Sequence, residues 1–372
     1  MKQKSAESKR LLSLDALRGF DMLFIMGGAG FVIALNTLMP CSFFEALAEQ
    51  MSHAEWHGLT HHDTIFPLFL FIAGISFPFS LAKQKASGKS HSAIITKIIR
   101  RGLTLVALCI IYNGLLKWQF DDMRYAGVLA HIGLAWMFAA LLYVFCKTRT
   151  RAIIAAAILI GYWLLLTFVS APDANGADPF SMEGSIVGYI DRQFLPGRLY
   201  REIHDPEGIL SLLPSIVTAM LGMFTGEFVR LKKSGLTETK KVGYMFLAGI
   251  ALLAIGLLWS TVFPINKNLW TSSFVCTVGA YSVIMFALFY YIIDVKGYRR
   301  WTTFFAVIGM NSITIYIAQS FINFRYTANK IFGGTIALLP DDAQPLLQSS
   351  VYIATCWLFL YFLYKQKIFL KV

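Results

Sequence analysis

The chain has 372 residues, of which 56% are hydrophobic and only 15% charged, and its mean hydropathy is +0.60. Those proportions exclude a soluble globular domain and a disordered chain, and they leave a polytopic membrane protein. The net charge of +12 calls for no nucleic-acid partner, because basic cytoplasmic loops and anionic inner-leaflet lipid account for it.

Apolar runs long enough to cross ~30 Å of hydrocarbon are expected at 18–38, 64–82, 102–118, 127–146, 152–170, 209–229, 243–263, 271–293, 303–322 and 349–366. The expected fold is all-α, a bundle of about ten transmembrane helices forming one integral domain over 1–372. The first run follows Lys2, Lys4, Lys9 and Arg10 without an A-x-A-like cleavage site, so it reads as a retained helix and not a signal peptide. No soluble domain is expected before or after the bundle. Of the 33 Lys and Arg residues, 25 fall in alternate connections and 8 in the others, which predicts cytoplasmic termini. The segments 39–63, 171–208 and 323–348 then lie on the outer side. The 171–208 segment is long enough to act as a lid, with a short helix expected around SIVGYIDRQF. Cys41, Cys109, Cys146, Cys276 and Cys356 show no pairing or metal spacing, so no structural disulfide is expected.

The outer segment HAEWHGLTHHDTIFPLFLFIAG (53–74) places His53, His57, His61 and His62, four of the seven histidines, directly before an apolar run. Imidazole is suited to proton transfer near neutral pH, so the cluster points to chemistry at the membrane face. A wet loop with interfacial aromatics is the other reading. No metal is expected, since the H-E-x-x-H spacing is absent.

Six blocks in order along the chain carry a resemblance: RLLSLDALRGFDM (10–22), HAEWHGLTHHDTIFPLFLFIAG (53–74), RYAGVLAHIGL (124–134), DPEGILSLLPSIVTAMLGMFTGE (205–227), NKNLWTSSFV (266–275) and DVKGYRRWTTFFAVIGMNSITIY (294–316). Together they resemble the heparan-alpha-glucosaminide N-acetyltransferase family, in a bacterial-type form. The resemblance implies a transmembrane acyltransferase that takes acetyl from cytoplasmic acetyl-CoA, as co-substrate, to a glucosamine-like amino sugar or glycan on the outer side. It implies His53 as the catalytic residue, whether base or acyl carrier. Two departures are Ala130-His131-Ile132, where the family commonly has Gln-Arg-Ile, and MGGAG late in the first span, where some members have Asn.

Chemistry supplies the remaining candidates. Acyl transfer to an amine or hydroxyl needs a proton acceptor, and an Asp beside the imidazole would fix its tautomer. Asp63 is placed for that role, and equally to cap the helix that follows. Arg18, Arg100 and Arg101 are candidates for CoA phosphates, although Arg18 is spaced to pair with Asp15 and all three satisfy topology alone. Trp56, Arg124, Glu207 and Asn311 are candidate acceptor contacts. Trp56 and Trp270 also suit an aromatic belt, and Asn311, Gln319 and His131 also suit helix-to-helix hydrogen bonds. The competing functions are a saccharide transporter with a histidine proton relay and a surface-polysaccharide O-acyltransferase. A bacterial cytoplasmic membrane is the expected location, and the oligomeric state, a homodimer included, stays open.

Overall fold

The computed structural model describes residues 11–370; Lys2, Lys4, Lys9 and Arg10, on which part of the expected orientation rests, lie outside the described residues. In chain order the helices are α1 (Leu12–Leu38), α2 (Ser42–Glu49), α3 (His61–Ala86), α4 (His91–Tyr112), α5 (Val128–Phe145), α6 (Thr148–Phe168), α7 (Ile186–Phe194), α8 (Leu212–Arg230), α9 (Glu238–Trp259), α10 (Ser272–Val295), α11 (Thr302–Met310), α12 (Ser312–Phe321), α13 (Phe324–Ala337) and α14 (Gln344–Lys365). Among the described residues there is no strand, only the isolated bridges Arg124–Gly197 and Ser170–Ser185.

Eight of these helices (α1, α3, α5, α6, α8, α9, α10 and α14) are long and apolar enough to cross a membrane, and the bent pair α11–α12 makes a ninth if it is one span. The expected span at 102–118 falls on α4, which begins earlier, carries Lys97, Arg100 and Arg101 in its first half and ends at Tyr112, where left-handed Gly114 (φ 108) and Trp118 (φ 57) turn the chain. The span at 303–322 is broken at Asn311 by a 66° bend. The 323–348 segment, expected as an outer loop, is largely the helix α13.

The bundle is sorted by burial. In α3, 72% of the apolar window is buried, against 17% in α14, so α3 belongs to the centre and α14 to the periphery. Leu247, Ile250 and Leu258 of α9 are exposed, as are Ile153 and Ile160 of α6, an outward apolar surface suited to hydrocarbon. The closest helix contacts are made by glycine. A methyl added at Gly19 of α1 would run into the Phe305 carbonyl of α11, and one at Gly222 of α8 into the Phe71 carbonyl of α3. Small residues let helix backbones meet where apolar surroundings offer no hydrophobic drive for association. These two seams hold α1 against α11 and α3 against α8, and the first turn of α3 carries the polar cluster described below.

The 171–208 segment and the α8–α9 turn stand at opposite ends of α8, whose 19 residues span ~28 Å. With exposed Cys41 replaced, Asn175→Cys is expected to react with an impermeant thiol reagent from outside and Lys233→Cys only after the membrane is opened. The reverse pattern would invert the orientation read from charge.

Candidate active site

The site is built on the start of α3. The first N–H groups of a helix have no internal partner. Here His61 N donates to Gln50 Oε1 (3.0 Å) and His62 N to the Gln50 carbonyl (3.0 Å), which fixes the preceding loop across the helix end. Asp63 N donates to the Thr60 carbonyl (3.2 Å), and the Asp63 side chain reaches back: Oδ2 accepts from Thr60 N and Ala54 N, both at 3.2 Å, and from the Thr60 hydroxyl at 3.0 Å. Its other oxygen, Oδ1, lies 2.7 Å from His53 Nδ1. Asp63 thus meets the helix start with one oxygen and the imidazole with the other. Nδ1–H donates to the carboxylate, so Nε2 is left as the acceptor, and the His53 side chain is 46% exposed.

Lys267 completes the cluster, and no reading of the sequence had singled it out. Its Nζ stands 3.1 Å from His53 Nδ1, 3.4 Å from His53 Nε2 and 3.5 Å from Asp63 Oδ1. The loop that carries it is pinned at three points. Gly58 N donates to the Ile265 carbonyl (2.8 Å), the Asn266 side chain accepts from Leu269 N (2.9 Å), and the Thr271 hydroxyl donates to the Pro264 carbonyl (2.8 Å). Burial lowers the Lys267 pKa from the ordinary lysine value, against the opposing pull of Glu207 and Asp63.

His53, His62, Asp63 and Lys267 face a cavity of about 430 Å³ that also exposes Asp21, Phe66, Phe69, Tyr112, Arg124, Ile132, Glu207, Ser312 and Tyr316. The volume is in the range of small-molecule sites. His62 meets the His53 ring edge-on at 4.5 Å. The other two histidines of the cluster point elsewhere: His57 is 3.2 Å from the Asn266 amide, and His61 packs its edge on Phe24 at 4.4 Å.

The C-terminal end of the 171–208 segment lines this cavity through Tyr200, Arg201, Pro206 and Glu207. Arg124 binds Asp205 through Nε (2.7 Å) and Nη2 (2.5 Å), and Nη2 also binds Glu207. Arg124 and Glu207 thus line the cavity while holding each other. Trp56 is not among the residues lining the cavity: its Nε1 donates to the Phe180 carbonyl (2.8 Å), and its ring packs on His204 at 5.4 Å. Asn311 is not among them either. Its amide donates to the Ile368 carbonyl (3.2 Å), and Ser312, Ile313 and Tyr316 form the wall instead. Trp270 belongs to neither a belt nor a stacking platform. It is 1% exposed, sits at φ 53, and packs among Phe66, His131 and Phe274.

A second cavity of about 380 Å³ is lined by Gln84, Lys97, Arg100, Arg101 and Trp136. Arg101 lies over the Trp136 ring at 4.2 Å, and its Nε has no protein partner. Arg18 stands 3.9 Å from Asp15 and over Phe69 at 5.9 Å, so the pairing expected from spacing is present. On α5, Trp136 of this cavity is one turn from Ile132 of the first; on α1, Arg18 is one turn from Met22.

The family model of the heparan-alpha-glucosaminide N-acetyltransferase catalytic region matches residues 10–258, which include His53, Asp63, Arg124 and Glu207. The chain belongs to this family. Heparan-alpha-glucosaminide N-acetyltransferases of Homo sapiens and Mus musculus are each 29% identical to it, over 99% of the chain and 61% of the relative. The chain therefore spans about three-fifths of the length of the curated relatives it matches. Lys267 lies beyond the family-model match but within the stretch aligned with the two relatives.

The 171–208 segment also holds a titratable element. Asp191 of α7 is fully buried; Oδ1 accepts from Ile209 N (2.9 Å), Oδ2 has no partner, and burial pushes its pKa up to about 7. A carboxyl whose folded pKa lies above the unfolded ~3.9 favours the folded state fully below the unfolded value and loses that contribution as pH rises through the folded one. The protection of amides in 186–209, corrected for intrinsic exchange, is expected to fall between pH 6 and 8, and Asp191→Asn to remove that fall. Equal protection at both pH values in the unaltered protein would rule this out.

Proposed function

We propose that the chain is an integral-membrane acetyltransferase of the bacterial cytoplasmic membrane that moves acetyl from cytoplasmic acetyl-CoA to an amino sugar or glycan on the outer side. The observation that carries this reading is the His53–Asp63–Lys267 cluster opening into its cavity. His53 Nε2 takes a proton from the acceptor nitrogen as it attacks the acyl carbon, and Asp63 steadies the imidazolium that forms. The Lys267 ammonium supplies a donor for the charge that develops on the carbonyl oxygen. Direct transfer and passage through an acetyl-histidine both need Nε2 free.

For the donor, Lys97, Arg100 and Arg101 offer positive charge to the CoA phosphates at the inner cavity. The pantetheine arm then has about one helical turn, ~5.4 Å, to cross between the two cavities. Phe69, Leu129 and Ile132 give it an apolar wall. A transporter with a histidine relay is less well supported, because His57 is bound to Asn266 and His61 is turned onto Phe24.

In proteoliposomes of known orientation, radiolabelled acetyl-CoA is expected to support transfer only from the Arg100 and Arg101 face. His53→Ala is expected to lower the rate about 10²–10⁴-fold while acetyl-CoA still binds. Activity above about a tenth of the unaltered enzyme would refute the role of His53. The alkaline limb of the rate profile is expected below the pH of an ordinary lysine, since loss of the Lys267 proton removes the oxyanion donor, and Lys267→Arg should move that limb upward. A limb unmoved by Lys267→Arg would assign it to another group.

A further inference from the structure

Three carboxylates line the catalytic cavity, and two are answered by cations: Asp63 by His53 and Lys267, Glu207 by Arg124. The third, Asp21, is answered by none among the described residues. It is 2% exposed, it sits on α1 inside a membrane-length helix, and its Oδ2 has no hydrogen-bond partner. Arg18, one turn away on the same helix, pairs with Asp15. An ionisable group at such depth is retained where it meets a ligand or a partner, because an unanswered buried charge is strongly unfavourable.

We propose that Asp21 is the acceptor-recognition carboxylate of this cavity, holding the acceptor as a protonated primary amine. The inference rests on the acetyl-transfer reading and deepens it by naming the form in which the acceptor binds. A sugar hydroxyl leaves a buried carboxylate with its charge; an ammonium neutralises it and donates hydrogen bonds as well. The role also fits the proton count. Acetylation converts R–NH3+ and acetyl-CoA into R–NH–CO–CH3, CoA–SH and one proton, so two protons leave the nitrogen. One travels through His53 to the departing sulfur. The other is taken by the Asp21 carboxylate and then released to water.

Binding of glucosamine and of glucose to the detergent-solubilised protein, at a pH where the amine is protonated, tests the proposal without requiring turnover. Glucosamine is expected to bind about 10–100-fold more tightly than glucose, the range of one charge-assisted pair. Asp21→Asn should abolish that preference and leave glucose binding unchanged, which also reports that the variant is folded; Asp21→Glu should keep it. No preference in the unaltered protein, or a preference that survives Asp21→Asn, overturns the proposal. Acetyl transfer measured separately distinguishes the two readings. Transfer without amine preference leaves the enzyme reading standing and removes this one, and amine preference without transfer does the opposite.

Discussion

A carboxylate at the first turn of a helix that continues through the bundle has to have both oxygens occupied, and the way Asp63 achieves this organises the site. One oxygen gathers the backbone N–H groups of Ala54 and Thr60, which sets where the loop before α3 leaves the helix. The other oxygen holds His53, so the imidazole is aimed by the same residue that starts the helix. Lys267 arrives from a loop more than two hundred residues later and is attracted to the same negative charge. Helix start, loop path, imidazole tautomer and lysine position are thus consequences of a single buried group with a 2% exposed side chain.

That group stays fixed because the elements beneath it cannot slide. α3 meets α8 through Gly74, Gly222 and Gly226, where added methyls would strike backbone, and α1 meets α11 through Gly19 and Gly309. Register between such helices is set by main chain and not by deformable side chains. The 171–208 segment has a different character. It is held by polar contacts, Arg124 to Asp205 and Glu207, Arg201 to the Glu55 carbonyl and Trp56 to the Phe180 carbonyl, contacts that water can replace.

Much of the architecture was legible in the sequence because membrane helices announce themselves by length and apolarity, and His53 and Asp63 stood out as polar residues packed against such a run. What escaped has local causes. Lys267 is one of the eight basic residues outside the connections where the other 25 collect, and nothing in its neighbours' spacing links it to a histidine so distant in the chain. Trp270 was read by residue type, whereas its left-handed backbone (φ 53) turns it into the core. Trp56 was read as an acceptor contact or a belt residue, and its indole N–H is taken up by the Phe180 carbonyl. Asp21 was present in the sequence as a lone carboxylate within an apolar span, and its importance appears only when its neighbours on other helices prove to lack a cation for it.

The bend at Asn311 divides the cavity wall into two mechanically distinct parts. α11 is clamped to α1 through the Gly19–Gly309 contact, but α12, carrying Ile313 and Tyr316, begins beyond that clamp. The angle at one residue therefore sets where the Tyr316 side of the cavity stands, while the clamped helix sets the place of Asp21, so the bore of the chamber and this charge are fixed by separate contacts.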